Sequence, residues 1–144
     1  MCIRDRLRSD LESQVTSLGI REKVVFAGFQ RNVGDYQECI DVCVFASENE
    51  PFGLVAVETL SRGKPTLVFK DGGGIIEIVS PVCARDVVDS ILNLSERLVD
   101  YYGGDPEEPT DVQKRKNRAS DFKIESMAKE MDTVYKTLSK VDRS

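Results

Sequence analysis

The chain has 144 residues, 40% of them hydrophobic, and its 25 acidic against 20 basic residues give a formal net charge of -5. This length and hydrophobic content are typical of one globular domain with a real core, and they exclude a disordered tail. The acidic balance argues against the broad basic surface that binds a phosphate backbone, so we expect no nucleic-acid partner. No apolar run approaches the roughly 20 residues of a spanning helix, and the first ten residues lack the apolar stretch of a signal peptide. We therefore expect a cytoplasmic protein.

The cysteines and the lack of histidine restrict the chemistry. The sequence holds four cysteines and no histidine. Only Cys39 and Cys43 lie close together, and no second pair completes a tetrahedral zinc site, so we predict no metal centre. Their apolar surroundings, CIDVCVFA, are typical of reduced thiols in a core. Without histidine, a serine-type or cysteine-type triad cannot be assembled.

The first half of the chain predicts alternating helices and strands. Leu7, Leu11, Val15 and Leu18 form the stripe of an amphipathic helix that Gly19 ends. Short β-rich runs follow at 24–26 (VVF), 42–45 (VCVF) and 66–69 (TLVF). Helical segments follow the second and third runs. Because parallel strands need crossover helices, this order predicts an α/β fold with a doubly wound, Rossmann-like parallel sheet.

The last third of the chain predicts helices at 84–102 and 121–141, with a further helical segment, VQKRKNRAS, before the second. Between them, GGDPEEPTD has the glycines, prolines and acids of a surface loop. A basic run, Lys114, Arg115, Lys116 and Arg118, is either a solvated helix face or a patch for phosphate or lipid.

Two unusual loops follow predicted strands. They are SENEPFG, residues 47–53, and KDGGG, residues 70–74. Ligands of parallel α/β sheets bind at the carboxyl ends of strands, where backbone amides and helix N-termini suit an anion such as a diphosphate. The three glycines would let a ligand approach the backbone, although a flexible turn is the alternative. We predict that both loops open onto one edge of the sheet.

Two glutamates flank the Phe-Gly-Leu turn after the second run. Glu58, within the following helix, can accept two hydrogen bonds from a vicinal diol such as a ribose. Glu50, ahead of the turn, would then face the other end of a nucleotide sugar. The alternative is that Glu50 helps cap the helix and Glu58 is simply exposed to solvent.

Residues 24–79 resemble the carboxyl-terminal lobe of the family-4 retaining glycosyltransferases of GT-B fold. That family's pattern runs through Phe/Leu-x-Gly, Tyr, Asp, Ser-x-x-Glu-Pro-Phe-Gly-Leu, a second Glu, Gly-x-Pro and Gly-Gly-x-x-Glu. The matching positions are 26–28, Tyr36, Asp41, Ser47, 50–54, Glu58, Gly63, Pro65, Gly73, Gly74 and Glu77. Weaker similarity extends through the last predicted helix.

The resemblance implies an enzyme that transfers a hexose from a UDP- or GDP-linked sugar to an acceptor with retention. The donor is a substrate, and no cofactor is implied. Glu50 would be the catalytic residue, with its carboxylate on the donor sugar hydroxyls, and Glu58 would hold the ribose. The remaining substrate-binding positions would be the backbone of Phe52, Gly53 and Leu54 and the glycines Gly73 and Gly74. Glu77 would cap its helix, and a contact with the donor is the alternative.

The chain also departs from that family's pattern. The family lobe opens with a strand and a glycine-rich loop that bears an Arg and a Lys, and an amino-terminal lobe binds the acceptor. We expect residues 7–144 to be a partial nucleotide-sugar-binding lobe without its first strand, inactive alone, and residues 1–6 to be a non-native leader. The full enzyme could associate peripherally with a membrane. The alternatives are a non-catalytic Rossmann-like binding module and another GT-B enzyme such as a sugar-nucleotide epimerase.

Overall fold

The computed structural model of the chain describes residues 7–103 and 109–141. These residues belong to two compact units, one up to Val33 and one from Gly34 onward. The leader expected at residues 1–6 lies outside the described residues. Within the described ranges, no helix is both long and apolar enough to cross a bilayer.

The first unit contains the predicted helix, α1 (Arg8–Ser17). Its expected apolar stripe is not buried, since no residue of the helix is buried and Leu11 is 41% exposed. The helix ends as its sequence predicts. Gly19 has a φ of +66°, and its amide donates to the carbonyl of Thr16 at 3.0 Å. A residue without a Cβ adopts this left-handed conformation at no steric cost, which is why the helix stops here.

The strand predicted at residues 24–26 is wrong. After a 3-10 turn (Arg21–Lys23) these residues are not part of any β-ladder among the described residues. Arginine side chains take part in the local contacts instead. The guanidinium of Arg21 donates to the carbonyl of Val24 at 3.0 Å, and those of Arg8 and Arg21 lie 5.6 and 6.0 Å from the centre of the Phe26 ring. The VVF run has high β-propensity but no partner strand among the described residues. Without a partner, a single strand gains little stability.

The second unit is an α/β structure with a parallel sheet. Its elements are α2 (Val33–Cys39, which begins at the unit boundary), β1 (Cys43–Phe45), α3 (Leu54–Ser61), β2 (Thr66–Phe69), α4 (Ile75–Val79), β3 (Val87–Val88), α5 (Ile91–Gly103), α6 (Pro109–Ser120) and α7 (Ile124–Val141). The strands lie in the order β1-β2-β3, and both pairings are parallel. The predicted fold class, a Rossmann-like α/β arrangement, is confirmed.

The core lies between β2 and helices α3, α4 and α6. Its buried hydrophobic members are Ala56, Leu60, Val68, Ile75, Ile78, Val79 and Ala119. Helices α3 and α4 follow β1 and β2 in the chain, so both begin near the carboxyl edge of the sheet. Packing of these helices against β2 therefore brings the two strand-end loops to the same edge.

The helices predicted at 84–102 and 121–141 begin later than predicted. The surface loop predicted at 103–111 is wrong at its ends, since residue 103 belongs to α5 and residues 109–111 to α6, and its middle, 104–108, lies outside the described residues. Residues 84–90 include a 3-10 turn (Ala84–Asp86) and the two-residue strand β3, and α5 starts only at Ile91. The β-branched pair Val87–Val88 extends the sheet by pairing with Val68 and Phe69 of β2. Helix α7 starts at Ile124, because residues 121–123 form the turn after α6. Tertiary pairing thus overrides the helical appearance of residues 84–90.

A buried polar network joins α5 and α6 to the turn before β3. Asp86 is only 2% exposed, and it accepts hydrogen bonds from Arg97 Nε at 2.9 Å and from the Tyr101 hydroxyl. Arg115, 4% exposed, donates to the carbonyl of Gly63 at 3.1 Å and to the Tyr101 oxygen at 3.5 Å. Neither alternative for the basic run therefore describes Arg115, which is a buried structural residue.

Candidate functional site

The two strand-end loops lie side by side in the structure. Beyond β1 and β2, Glu50 and Gly73 form one more parallel bridge. The amide of Glu50 donates to the carbonyl of Gly72 at 2.9 Å, and the amide of Gly74 donates to the carbonyl of Glu50 at 2.7 Å. The loops predicted to open onto one edge of the sheet are thus hydrogen-bonded to each other there.

The glycines of the second loop make this approach possible. Gly73 has a φ of +75°, and a Cβ there would lie 2.7 Å from the carbonyl oxygen of Glu50. A Cβ on Gly74 would overlap the carbonyl oxygen of Pro51. The space left by the missing side chains is filled by the neighbouring loop, so close approach of a ligand is not needed to explain these two glycines.

Gly53 is the N-cap of α3 and lies next to the contact between the two loops. Its φ is +92°, and a Cβ would lie 2.7 Å from Cγ1 of Ile75 at the start of α4. The first two helical amides, those of Leu54 and Val55, have no acceptor within the described part of the chain. Unpaired amides in the first helical turn carry partial positive charge, so they can donate to an anion.

The two predicted acids have different surroundings. Glu50 is half-buried, whereas Glu58 is exposed on the side of α3 away from the core. Within the described residues, neither carboxylate has a hydrogen bond or an ion pair. The N-cap of α3 is Gly53, and no side chain caps the helix. Glu50 therefore does not cap the helix, and that alternative is wrong. Glu58 is exposed to solvent, as the alternative for this residue expected.

The amides of the second loop are less available than the sequence suggests. The Gly74 amide is already bonded to Glu50, and the Gly72 amide donates to the carbonyl of Phe69 at 2.9 Å. Helix α4 is five residues long, and Gly74 is its N-cap without a side-chain cap, so the capping role expected of Glu77 is wrong. Within the described residues the amides of Gly73 and Ile75 have no acceptor, so unpaired donors remain in this loop as well as at the start of α3.

An aromatic contact that the sequence did not predict holds Phe52. Its ring meets the ring of Phe122 edge-on, with centroids 5.6 Å apart and planes at 79°. Phe122 follows α6 and packs against the core. A lone aromatic in the polar turn ASDFK gives no sequence signal of a partner so far along the chain.

The described residues contain no group of three or more cysteine, aspartate or glutamate side chains arranged to hold a metal ion. The exposed surface of the site is instead apolar and acidic. Leu54 and Val55 are exposed beside Glu58 in α3, and Phe52 is 44% exposed. Apolar side chains around a few polar groups are typical of small-molecule sites.

A family model described as "Glycosyl transferases group 1" matches residues 5–89 of the chain. The matched region includes both strand-end loops and helices α3 and α4. It ends before α5, so Tyr101 and the turn that carries Phe122 lie outside it, whereas Asp86 lies within it.

Known glycosyltransferases and synthases align with about half of this chain. The chain is 37% identical over 67 residues to the mannosylfructose-phosphate synthase of Agrobacterium fabrum, which is 45% of this chain and 15% of the relative. It is 40% identical over 75 residues to an uncharacterized glycosyltransferase of Methanocaldococcus jannaschii, 51% of this chain and 19% of the relative. It is 37% identical over 59 residues to the N-acetyl-alpha-D-glucosaminyl L-malate synthase of Bacillus anthracis, 41% of this chain and 16% of the relative. Each alignment thus covers less than a fifth of the relative's length.

Proposed function

The chain belongs to the group 1 glycosyltransferases, whose model matches more than half of it, and we propose that it binds the sugar donor where the Glu50 and Gly73 loops meet. The donor is a hexose linked to UDP or GDP, and the hexose is transferred with retention of its anomeric configuration. The acceptor binds to a second lobe of the enzyme.

The observation that carries this proposal is the bridge between Glu50 and Gly73. It brings the half-buried acid, the glycine-rich turn and the start of α3 to one edge of the parallel sheet. Ligands of open α/β sheets bind in the crevice outside the carboxyl ends of the strands. The arrangement therefore supports a ligand that contacts both loops.

The first turn of α3 is the proposed diphosphate site. The amides of Leu54 and Val55 have no acceptor in the described part of the chain, and the eight-residue helix adds its dipole to them. As the bond from the diphosphate to the sugar breaks, negative charge grows on the leaving phosphate, and fixed donors stabilise that charge without reorganising. The chain's contribution to catalysis is thus electrostatic positioning.

The carboxylates of Glu50 and Glu58 bind opposite ends of the donor. Glu58, one turn into α3 on its exposed side, accepts hydrogen bonds from the ribose diol, and Glu50 accepts hydrogen bonds from hexose hydroxyls. Both carboxylates are without other hydrogen-bond or ion-pair partners in the described residues, so both have full acceptor capacity for such a ligand.

The proposal is tested by titrating the isotope-labelled chain with UDP and with GDP while amide resonances are followed. We expect the largest shifts at Gly53, Leu54 and Val55. Uridine and guanosine, which lack the diphosphate, are the matched ligand controls and should leave these three amides unchanged. Shifts confined to another region, or equal shifts with the nucleosides, would contradict the proposed diphosphate site.

A further inference from the structure

A contact outside the family-matched region reaches the turn that precedes α3. The Phe52 ring, in the turn between Glu50 and Gly53, meets the Phe122 ring edge-on at 5.6 Å. Phe122 lies after α6 and is partly buried against the core, whereas Phe52 is 44% exposed. The contact therefore joins a side chain held by the core to one on the surface of the candidate site.

Arg118 also contacts the Phe122 ring. Its guanidinium carbon lies 4.5 Å from the ring centre. The same guanidinium donates from Nη2 to the carbonyl of Glu77 at 2.7 Å and from Nε to that of Ile78 at 3.3 Å. A third bond, from Nη1, reaches Asp121 at 3.0 Å. Rotation of the Phe122 ring away from Phe52 would thus disturb a cation that is fixed to the last turn of α4.

We propose that Phe122 and Arg118 are positioning residues for the turn that carries Glu50 and starts α3. This inference rests on the proposed function for its link to donor binding. Besides the bond from the Glu50 amide to the Gly72 carbonyl, the turn has two attachments that connect it to α4. One is the hydrogen bond from the Gly74 amide to the Glu50 carbonyl, and the other is the contact between Phe52 and Phe122. Both attachments lead back to α4, through Gly74 at its start and through Arg118 at its end.

The second attachment determines the direction of the amides at the start of α3. Gly53 has a left-handed backbone conformation that other residues rarely adopt, and glycine itself has little preference for it. The packing of the Phe52 side chain therefore selects this turn geometry. Loss of an edge-to-face aromatic pair is expected to change the population of the native turn by roughly threefold to tenfold, which is about 0.6 to 1.4 kcal/mol.

Amide hydrogen exchange in the 144-residue chain tests the positioning without any ligand. Phe122→Ala should speed exchange of the Gly74 amide threefold to tenfold relative to the amide of Val68, a core residue of β2 that reports overall unfolding. Phe122→Tyr keeps the ring and should exchange like the parent. Tyr102→Ala removes an aromatic side chain that is 91% exposed and is the matched control.

Arg118→Lys provides a second variant if Phe122→Ala does not fold. It keeps the charge but loses the bidentate fork, so we expect the same local acceleration at Gly74, smaller in size. Equal acceleration at Gly74 and Val68 in these variants would mean a purely global effect and would overturn the inference. An unchanged Gly74 amide would overturn it as well.

A nucleotide titration completes the test. Phe122→Ala should weaken binding of UDP or GDP threefold to tenfold, and Phe122→Tyr should restore it. Unchanged affinity together with faster local exchange would overturn the positioning of the donor site. If the parent chain binds neither nucleotide, the proposed donor site fails, while the exchange measurements still decide whether Phe122 and Arg118 position the turn.

Discussion

The Tyr101 hydroxyl lies 3.0 and 2.9 Å from the two carboxylate oxygens of Asp86, and Arg97 donates to the same Tyr101 oxygen at 3.0 Å. The Arg97 guanidinium also lies 4.3 Å from the Tyr101 ring centre. Asp86 is buried, so its negative charge depends on these donors for stabilisation. The Tyr101 hydroxyl is thus one of the hydrogen-bond donors that stabilise the buried Asp86 carboxylate.

Tyr101→Phe should lower the free energy of unfolding by about 1 to 3 kcal/mol, the range for a lost hydrogen bond to a charged group. Urea denaturation of the chain measures this change. The adjacent Tyr102, which is 91% exposed, offers a matched control, and Tyr102→Phe should change stability by less than about 0.5 kcal/mol. Equal effects of the two substitutions would mean that the network adds nothing to stability.

The same hydroxyl should make stability fall at high pH. Burial of Tyr101, followed by the negative charge of Asp86 and the hydrogen bond to it, raises the pKa of this phenol above its ordinary value of 10.0. Above that pH the unfolded chain releases a proton that the folded chain keeps, so folding loses up to about 1.4 kcal/mol per pH unit. The stabilisation is complete below pH 10 and is lost as the pH rises toward the folded pKa. Urea denaturation between pH 9 and 11 should show a shallower fall for Tyr101→Phe than for the parent, and parallel curves would contradict the assignment.

Gly73→Ala should destabilise the chain by about 1 to 3 kcal/mol, because the new Cβ meets the Glu50 backbone and alanine is strained at positive φ. The control is Gly103→Ala in α5, where a Cβ would have no neighbour within 4 Å. That change should alter stability by no more than about 0.5 kcal/mol or should increase it. Thermal or urea unfolding compares the two, and a neutral Gly73→Ala would show that the loop bridge is adaptable.

Substitutions should separate the roles of the two acids. Glu58→Ala should weaken UDP or GDP binding by about 1 to 3 kcal/mol, as expected for lost charge-assisted hydrogen bonds. Glu50→Ala should leave nucleotide affinity unchanged and should lower sugar transfer in a protein that joins this chain to an acceptor-binding lobe. Glu96→Ala, which removes an exposed acid from α5, is the matched control for both. Calorimetry that shows equal losses for Glu50→Ala and Glu58→Ala would contradict the assigned roles.

The 144-residue chain alone should bind nucleotide weakly and transfer no sugar. Holding acceptor and donor in one geometry accounts for about 7 to 11 kcal/mol of barrier lowering, and we propose that another lobe holds the acceptor. A radiolabelled-donor assay would compare the chain with a longer protein that contains it, with the same acceptors offered to both. Acceptor-dependent transfer at similar rates would show that the chain needs no second lobe.

Local sequence patterns predicted much of the fold because they report local physics. Helix α1 and its glycine stop, strands β1 and β2, and the strand-end loops appear where the sequence predicts them, but only β2 is buried as expected, since no residue of α1 or β1 is fully buried. The failures at residues 24–26 and 84–90 have a different origin. Strand formation depends on a partner strand, which is available to Val87 and Val88 but not to VVF among the described residues.

The site was predictable where its residues belong to short local motifs that follow a strand. Glu50, Gly73 and Gly74 are near each other as expected, but the reason for the glycines is the approach of the neighbouring loop. Phe122 and Arg118 were missed because each contributes through long-range contacts to residues 40 or more positions away. No local pattern distinguishes such an arginine from the solvated basic residues beside it.

The bridge at Glu50 and Gly73 also restricts how the two loops can change in length. The partner lies 23 positions later at Phe45 and Val68 in the sheet, and again 23 positions later at Glu50 and Gly73. The two intervening segments therefore have equal length. An insertion of one residue in either segment would shift the bridge out of register, whereas equal insertions in both could preserve it. Relatives that keep this bridge should accordingly gain or lose residues in the two loops together.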